Sequence, residues 1–153
     1  LDDRKVVDEY IWFRVFTSSD IGRVIDISLT FIAMEPIEFH PKDYKAYGGL
    51  CLRFAPRKEV KIFSPEGLVE QDVLVSGVTV FQHKDNPDYP ADWILRHYGF
   101  TGVSWPGLNE VTFAPNVPVH LKFRIWIHNG DVKAGKVAEA YQVFNQPPLI
   151  TLE

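Results

Sequence analysis

The residues best suited to chemistry gather in one stretch, His83-Lys84-Asp85-Asn86-Pro87-Asp88-Tyr89-Pro90-Ala91-Asp92-Trp93-Ile94-Leu95-Arg96-His97-Tyr98-Gly99. Within it His83, Asn86, Trp93, Arg96 and Tyr98 combine an aromatic platform with a few directional polar groups, the make-up of a small-molecule cleft to which sugars are suited. Imidazole titrates nearest neutral pH, so His83 is the candidate acid. Glu66, Asp85, Asp88 and Asp92 are candidate carboxylates, and their spacing does not choose among them. Upstream, Arg53 alternates with Leu52 and Phe54 and so faces away from both. Its guanidinium either grips a substrate carboxylate through two N–H groups or pairs within a sheet. The stretch is too long for a hairpin turn, and loops of this length in compact domains are mostly functional or disordered; its aromatic content argues against disorder. A structural reading stands beside this one: Pro87 and Pro90 stiffen a crossing between sheets, while Trp93 and Tyr98 plug its end.

Other chemistries find little support. His120 and His128 share a strand face, but eight residues at about 3.3 Å each leave them roughly 26 Å apart, too far to share a metal. No metal site and no cofactor are expected within this chain. His40, beside Pro41, and His97 read as solvent-edge or hydrogen-bonded histidines. Cys51 is the only cysteine, which excludes an intrachain disulfide, and it reads as a small buried apolar residue. There is no phosphate-cradling glycine loop ahead of a helix, no nucleophile elbow and no two-histidine zinc helix.

The elements that must position these groups are mostly strands. Ile25, Ile27, Leu29 and Phe31 alternate with Asp26, Ser28 and Thr30, and Val119, Leu121, Phe123, Ile125 and Ile127 alternate with His120, Lys122, Arg124, Trp126 and His128. A period of two sends one set inward and the other outward. Asn129-Gly130 then supplies a pair suited to positive φ in a tight turn. Shorter β-branched or aromatic runs at Tyr10–Phe16, Gly49–Ala55, Val60–Phe63, Val73–Phe81, Phe100–Trp105 and Val111–Phe113 bring the expectation to about eight strands. Only Lys133–Phe144 has helical spacing, with Val137, Ala140, Tyr141 and Phe144 on one stripe and Pro147-Pro148 blocking continuation. Many strands with short turns and no helix between them predict an antiparallel β-sandwich with one short C-terminal helix, in a single domain over residues 1–153.

Composition narrows the partners. Sixteen Lys and Arg against twenty Asp and Glu give a net charge of −4 with no basic block, which argues against nucleic acid. Uncharged stretches such as Tyr98–Asn109 are far short of the roughly 18 to 20 apolar residues of a membrane span. A small-molecule ligand, with no nucleic acid and no membrane, is the expected partner.

The long stretch, in the spacing His83-x-Asp85-Asn86-Pro87-x-x-Pro90-x-x-Trp93-x-x-Arg96-x-Tyr98-Gly99 and following Gly77-Val78-x-Val80-Phe81, resembles the hallmark of the bacterial DUF6807 family, also labelled methane oxygenase PmoA. Gly48-Gly49-Leu50-x-Leu52-Arg53-x-Ala55 resembles that family's strand ending in Arg. Pro118-Val119-x-Leu121-x-Phe123-Arg124-x-x-Ile127-His128-Asn129-Gly130-Asp131, followed by a short helix, resembles its C-terminal element. Family members are longer, with a preceding β-rich portion, so the chain resembles their C-terminal half, and the resemblance implies association with an N-terminal half or a homo-oligomer. The methane-oxygenase label implies membrane helices that this sequence lacks. More distantly, the family is similar to galactose mutarotase-like supersandwich proteins, in which a sugar lies on a concave sheet and a His and a carboxylate move protons. The resemblance therefore implies a carbohydrate-active protein of sugar isomerase, lyase or hydrolase type. His83, Arg53 and Arg96 would stand nearest the chemistry, with Asn86, Trp93 and Tyr98 contacting substrate. The alternative is a non-catalytic carbohydrate-binding or interaction sandwich.

Overall fold

The computed structural model describes residues 3–41, 48–55, 76–96 and 98–146. The expected strand Val60–Phe63, the start of Val73–Phe81, Glu66 and His97 lie outside the described residues. The described chain forms β1 (Val7–Val15), β2 (Gly22–Ala33), β3 (Ile37–Phe39), β4 (Cys51–Arg53), β5 (Ser76–Gln82), β6 (Asp92–Arg96), β7 (Phe100–Ser104), β8 (Val111–Phe113), β9 (Pro118–Asn129) and α1 (Val137–Asn145). The class is mainly β with antiparallel sheets and one short C-terminal helix, as the alternating patterns require.

The chain divides into two compact units. One contains Leu1–Glu9, Thr30–Asp72 and Pro90–Val119, the other Tyr10–Leu29, Val73–Tyr89 and His120–Glu153. Most of the four-stranded sheet, ordered β1-β2-β9-β5, lies in the second unit. Leu121, Phe123 and Ile125 of β9 are buried together as their spacing demands, Phe123 completely. The alternation then reverses. Trp126 and His128, expected to point outward, are buried, while Ile127 is 38% exposed. The cause is the connection after β9. The Asp131 carboxylate accepts from the Lys133 and Ala134 N–H groups at 2.9 and 2.8 Å. The turn so formed lies over this face, where the Trp126 indole N–H donates to the Gly135 carbonyl at 2.7 Å.

The same turn delays the helix. Its expected start at Lys133 gives way to Val137, with Lys136 at φ 48° ahead of it. Alpha-helix α1 covers the next part of the same face: Tyr141 meets the Phe81 ring edge-on at 5.6 Å and Phe144 lies under the Arg124 guanidinium at 4.7 Å. Arg124 is cross-strand to Phe81 and is neutralised by Asp26 through two hydrogen bonds of 2.6 and 2.8 Å. At the other edge of the sheet β1 is exposed along most of its length, with Trp12 74% accessible.

In the first unit, β3 pairs with β8 and a three-stranded sheet runs β4-β7-β6. Phe113 centres its apolar core, with Phe39, Trp105 and Phe31 at 4.7, 5.9 and 6.2 Å between ring centroids. Two expectations are corrected here. The stretch from His83 to Gly99 is not loop throughout, because Asp92–Arg96 is β6, paired residue for residue with Phe100–Ser104. Cys51 is exposed rather than buried, on β4, which ends its sheet among the described residues, and its thiol donates to the Gly48 carbonyl at 3.4 Å.

His128 is wedged between two glycines. A Cβ at Gly77 would stand 2.5 Å from its ring carbon Cε1, and one at Gly135 would stand 2.2 Å from Nδ1. Gly77→Ala and Gly135→Ala should each destabilise the fold by about 1–3 kcal/mol through overpacking. Urea denaturation measures this, and wild-type midpoints in both variants would contradict so tight a fit.

Candidate functional site

In the second unit, the chain leaving β5 is fastened at four points. His83 is 8% exposed. Its Nδ1 accepts the Asp85 N–H at 3.2 Å, a hydrogen bond with the Phe144 backbone also engages the ring, and the Phe144 ring stands edge-on at 5.0 Å. With Nδ1 accepting, the neutral ring carries its proton on Nε2. The Lys84 N–H donates to the Asn145 side chain at 2.7 Å. Both ends of the Asn86 amide bind the Lys122 main chain of β9, at 2.7 and 3.0 Å, so this side chain continues the sheet's bonding. Finally the Tyr89 and Tyr141 hydroxyls are hydrogen-bonded, tying the turn to α1.

The electrostatics follow from these contacts. Burial holds the His83 imidazole below its ordinary pKa; the Asp85 carboxylate, 3.5 Å from Nδ1, works against that, while Lys122 and Lys84 add to it. The Lys84 ammonium, hydrogen-bonded at 2.6 Å, keeps the Asp85 carboxyl below the usual range. The hydrogen bond with Tyr89, aided by burial, pushes the Tyr141 phenol up to about 12.

The remaining expected residues lie in the first unit. Register aligns Arg53 with Phe100 across β4 and β7, and Phe100 with Arg96 across β7 and β6. Directly opposed residues of antiparallel strands share a face, so Arg53, Phe100 and Arg96 form one row on one side of this sheet. The Arg53 guanidinium lies 5.7 Å from the Tyr98 ring centroid and 6.0 Å from that of Phe100. Tyr98 sits in the turn between β6 and β7, where Gly99 at φ 85° allows the tight reversal and donates its N–H to the Arg96 carbonyl at 3.0 Å. Trp93 is three residues from Arg96 and so belongs to the opposite face, opposed to Val103.

Arg53, Arg96 and Tyr98 are thus gathered around Phe100 in one unit, whereas His83 and Asn86 belong to the other. Phe100 was not singled out in the sequence, and the signal that locates it is the hairpin itself: a glycine-ended connection places Phe100 opposite Arg96. Asn145, Phe144 and Tyr141, which hold the turn after β5, carried no motif. Among the described residues no helix is long and apolar enough to cross a membrane.

An antiparallel β protein with an arginine–aromatic sheet face and a buried imidazole turn is the class that this geometry defines. Residues 67–142 match the model of DUF6807, a family of unknown function, which supports the resemblance found in the sequence. That span holds His83, Asn86, Trp93, Arg96 and Tyr98, but not Arg53. No curated protein and no solved structure matches the chain.

The histidines should titrate in opposite directions. His40, hydrogen-bonded to Glu110 at 3.1 Å and Glu38 at 3.3 Å, is raised above 6.5 chiefly by those contacts, and His83 is lowered chiefly by burial. A lowered His binds fewer protons folded than unfolded, so its contribution is complete above pH 6.5 and declines as pH falls from there toward the folded value. NMR titration of the ring protons is expected to place His83 below 6.5 and His40 above it; the reverse order would refute this assignment.

Proposed function

We propose that this protein is carbohydrate-active and seats a sugar on the face of the β4-β7-β6 sheet where Arg53, Phe100, Arg96 and Tyr98 gather. The observation that carries the reading is the guanidinium of Arg53 held over the Tyr98 ring, with Tyr98 itself 48% exposed. A ring of that exposure offers an apolar surface to the C–H face of a pyranose, and fixed guanidinium donors address its oxygens. Sugar-on-sheet binding in the galactose mutarotase-like proteins, distant relatives by resemblance, supports this as analogy of fold. Trp93, on the other face, has no part in it.

The turn at His83 favours a second reading, in which the second unit by itself carries out acid–base chemistry on a sugar at that turn, as an isomerase, lyase or hydrolase. A buried imidazole 3.5 Å from a carboxylate oxygen supports that reading.

Titration calorimetry against a panel of neutral and acidic glycans tests both. The protein should bind at least one class, and Tyr98→Ala should weaken it several-fold to about tenfold. His83→Gln should leave affinity in place; loss of glycan turnover in that variant supports catalysis, and unchanged turnover eliminates the His83 mechanism. Absence of glycan binding at millimolar concentration would refute the carbohydrate reading.

A further inference from the structure

We infer that the sugar seated on this face carries an anionic group, a carboxylate or sulfate ester held between Arg53 and Arg96. This inference rests on the carbohydrate reading above and specifies its ligand. The two arginines occupy opposite ends of one cross-strand row, two strand spacings or about 10 Å apart at their Cα atoms. Side chains of this length reach a common group at the exposed margin of this row, beside Tyr98, with the buried Phe100 between their Cα positions.

Neither guanidinium has a carboxylate partner among the described residues, and both residues are exposed. Arg4 is paired with Glu35 and Arg124 with Asp26, while Arg23 bonds the Ser18 hydroxyl and Arg14 lies near the Phe16 ring; Arg53 and Arg96 differ from these in that register sets two arginines in one row. On the arginine face of this sheet the carboxylate placed by register is Asp92, four residues from Arg96 along β6 and so about 13 Å away. Two like charges in one row repel, and a shared oxyanion relieves that repulsion while accepting forked N–H donors from both sides.

Arg53 is also prepared for the task. Its guanidinium is laid against Tyr98 and Phe100, so less side-chain freedom is lost on binding than from a free surface arginine. The chain's net charge of −4 makes this a local feature rather than part of a cationic protein. A row of two cations is also too small to follow a nucleic-acid backbone, which needs a longer basic stripe.

The test uses matched ligands on the unaltered protein. Oligogalacturonate is compared with its methyl ester, and a sulfated glycan with its desulfated form, by calorimetry at low and high salt. At least one charged member should bind about tenfold or more tightly than its neutral counterpart, with the advantage shrinking as salt rises. Which pair shows the preference identifies carboxylate or sulfate. Arg53→Gln and Arg96→Gln should each remove most of that preference, lowering charged-glycan affinity by a larger factor than neutral-glycan affinity, and circular dichroism checks their fold. If neutral and charged members bind equally, or the double variant keeps the full preference, the anionic inference falls while the carbohydrate reading stands. If no glycan binds, both fall.

Discussion

Burial of β9 on both faces is the constraint to which the second unit answers. One face of the strand is apolar and needs only Leu121, Phe123 and Ile125 to sink into a core. The other carries Arg124, Trp126 and His128, three side chains with polar atoms that lose access to water. Covering them requires compensation at each step. Arg124 receives Asp26 from β2, and Trp126 finds the Gly135 carbonyl. His128 bonds Thr79 at 3.3 Å and fits only because Gly77 and Gly135 lack side chains. The turn that supplies Gly135 sets where α1 begins, and α1 in turn brings Tyr141, Phe144 and Asn145 to the chain leaving β5. The surroundings of His83 are therefore a consequence of how a strand forty residues downstream is roofed.

The first unit solves a different problem. Its three-stranded sheet carries Arg53 and Arg96 on a face whose carboxylate by register, Asp92, lies about 13 Å from Arg96, and among the described residues Arg53 is placed against the Tyr98 and Phe100 rings rather than in an ion pair. A guanidinium placed 5.7 Å from a ring centroid is held without an ion pair occupying its N–H groups. Arg124 in the second unit and Arg4 in the first are held by the carboxylates of Asp26 and Glu35, whereas Arg53 is held against aromatic rings.

Long-period features were legible in the sequence and short or non-local ones were not. The alternation over Val24–Phe31 and Val119–Ile127 located β2 and β9, because a dozen residues give periodicity time to declare itself. The three residues of β3 give it none, and Ile37–Phe39 went unseen behind Pro36. Strand β6 was hidden for another reason: Ile94 and Leu95 are both half-buried, so no clean in–out pattern marks Asp92–Arg96, although Gly99 before Phe100 is the glycine that a short hairpin connection wants. The polar–aromatic composition of the His83–Gly99 stretch is plain in the sequence, but the partners of such side chains lie at distances that composition cannot reach. Asn86 bonds Lys122, 36 residues on, and Asp26 meets Arg124 across 98. The reversal at Trp126 and His128 arises from a covering turn that no periodicity within β9 encodes.

Two of the four tryptophans, Trp105 and Trp126, are each 5% exposed, and they fall in different units. Trp12 and Trp93 are far more open to solvent. The chain thus contains one shielded indole fluorophore per unit. Replacing the other three with phenylalanine yields a reporter whose emission follows the melting of a single unit, so that cooperative and stepwise unfolding can be told apart without any added dye.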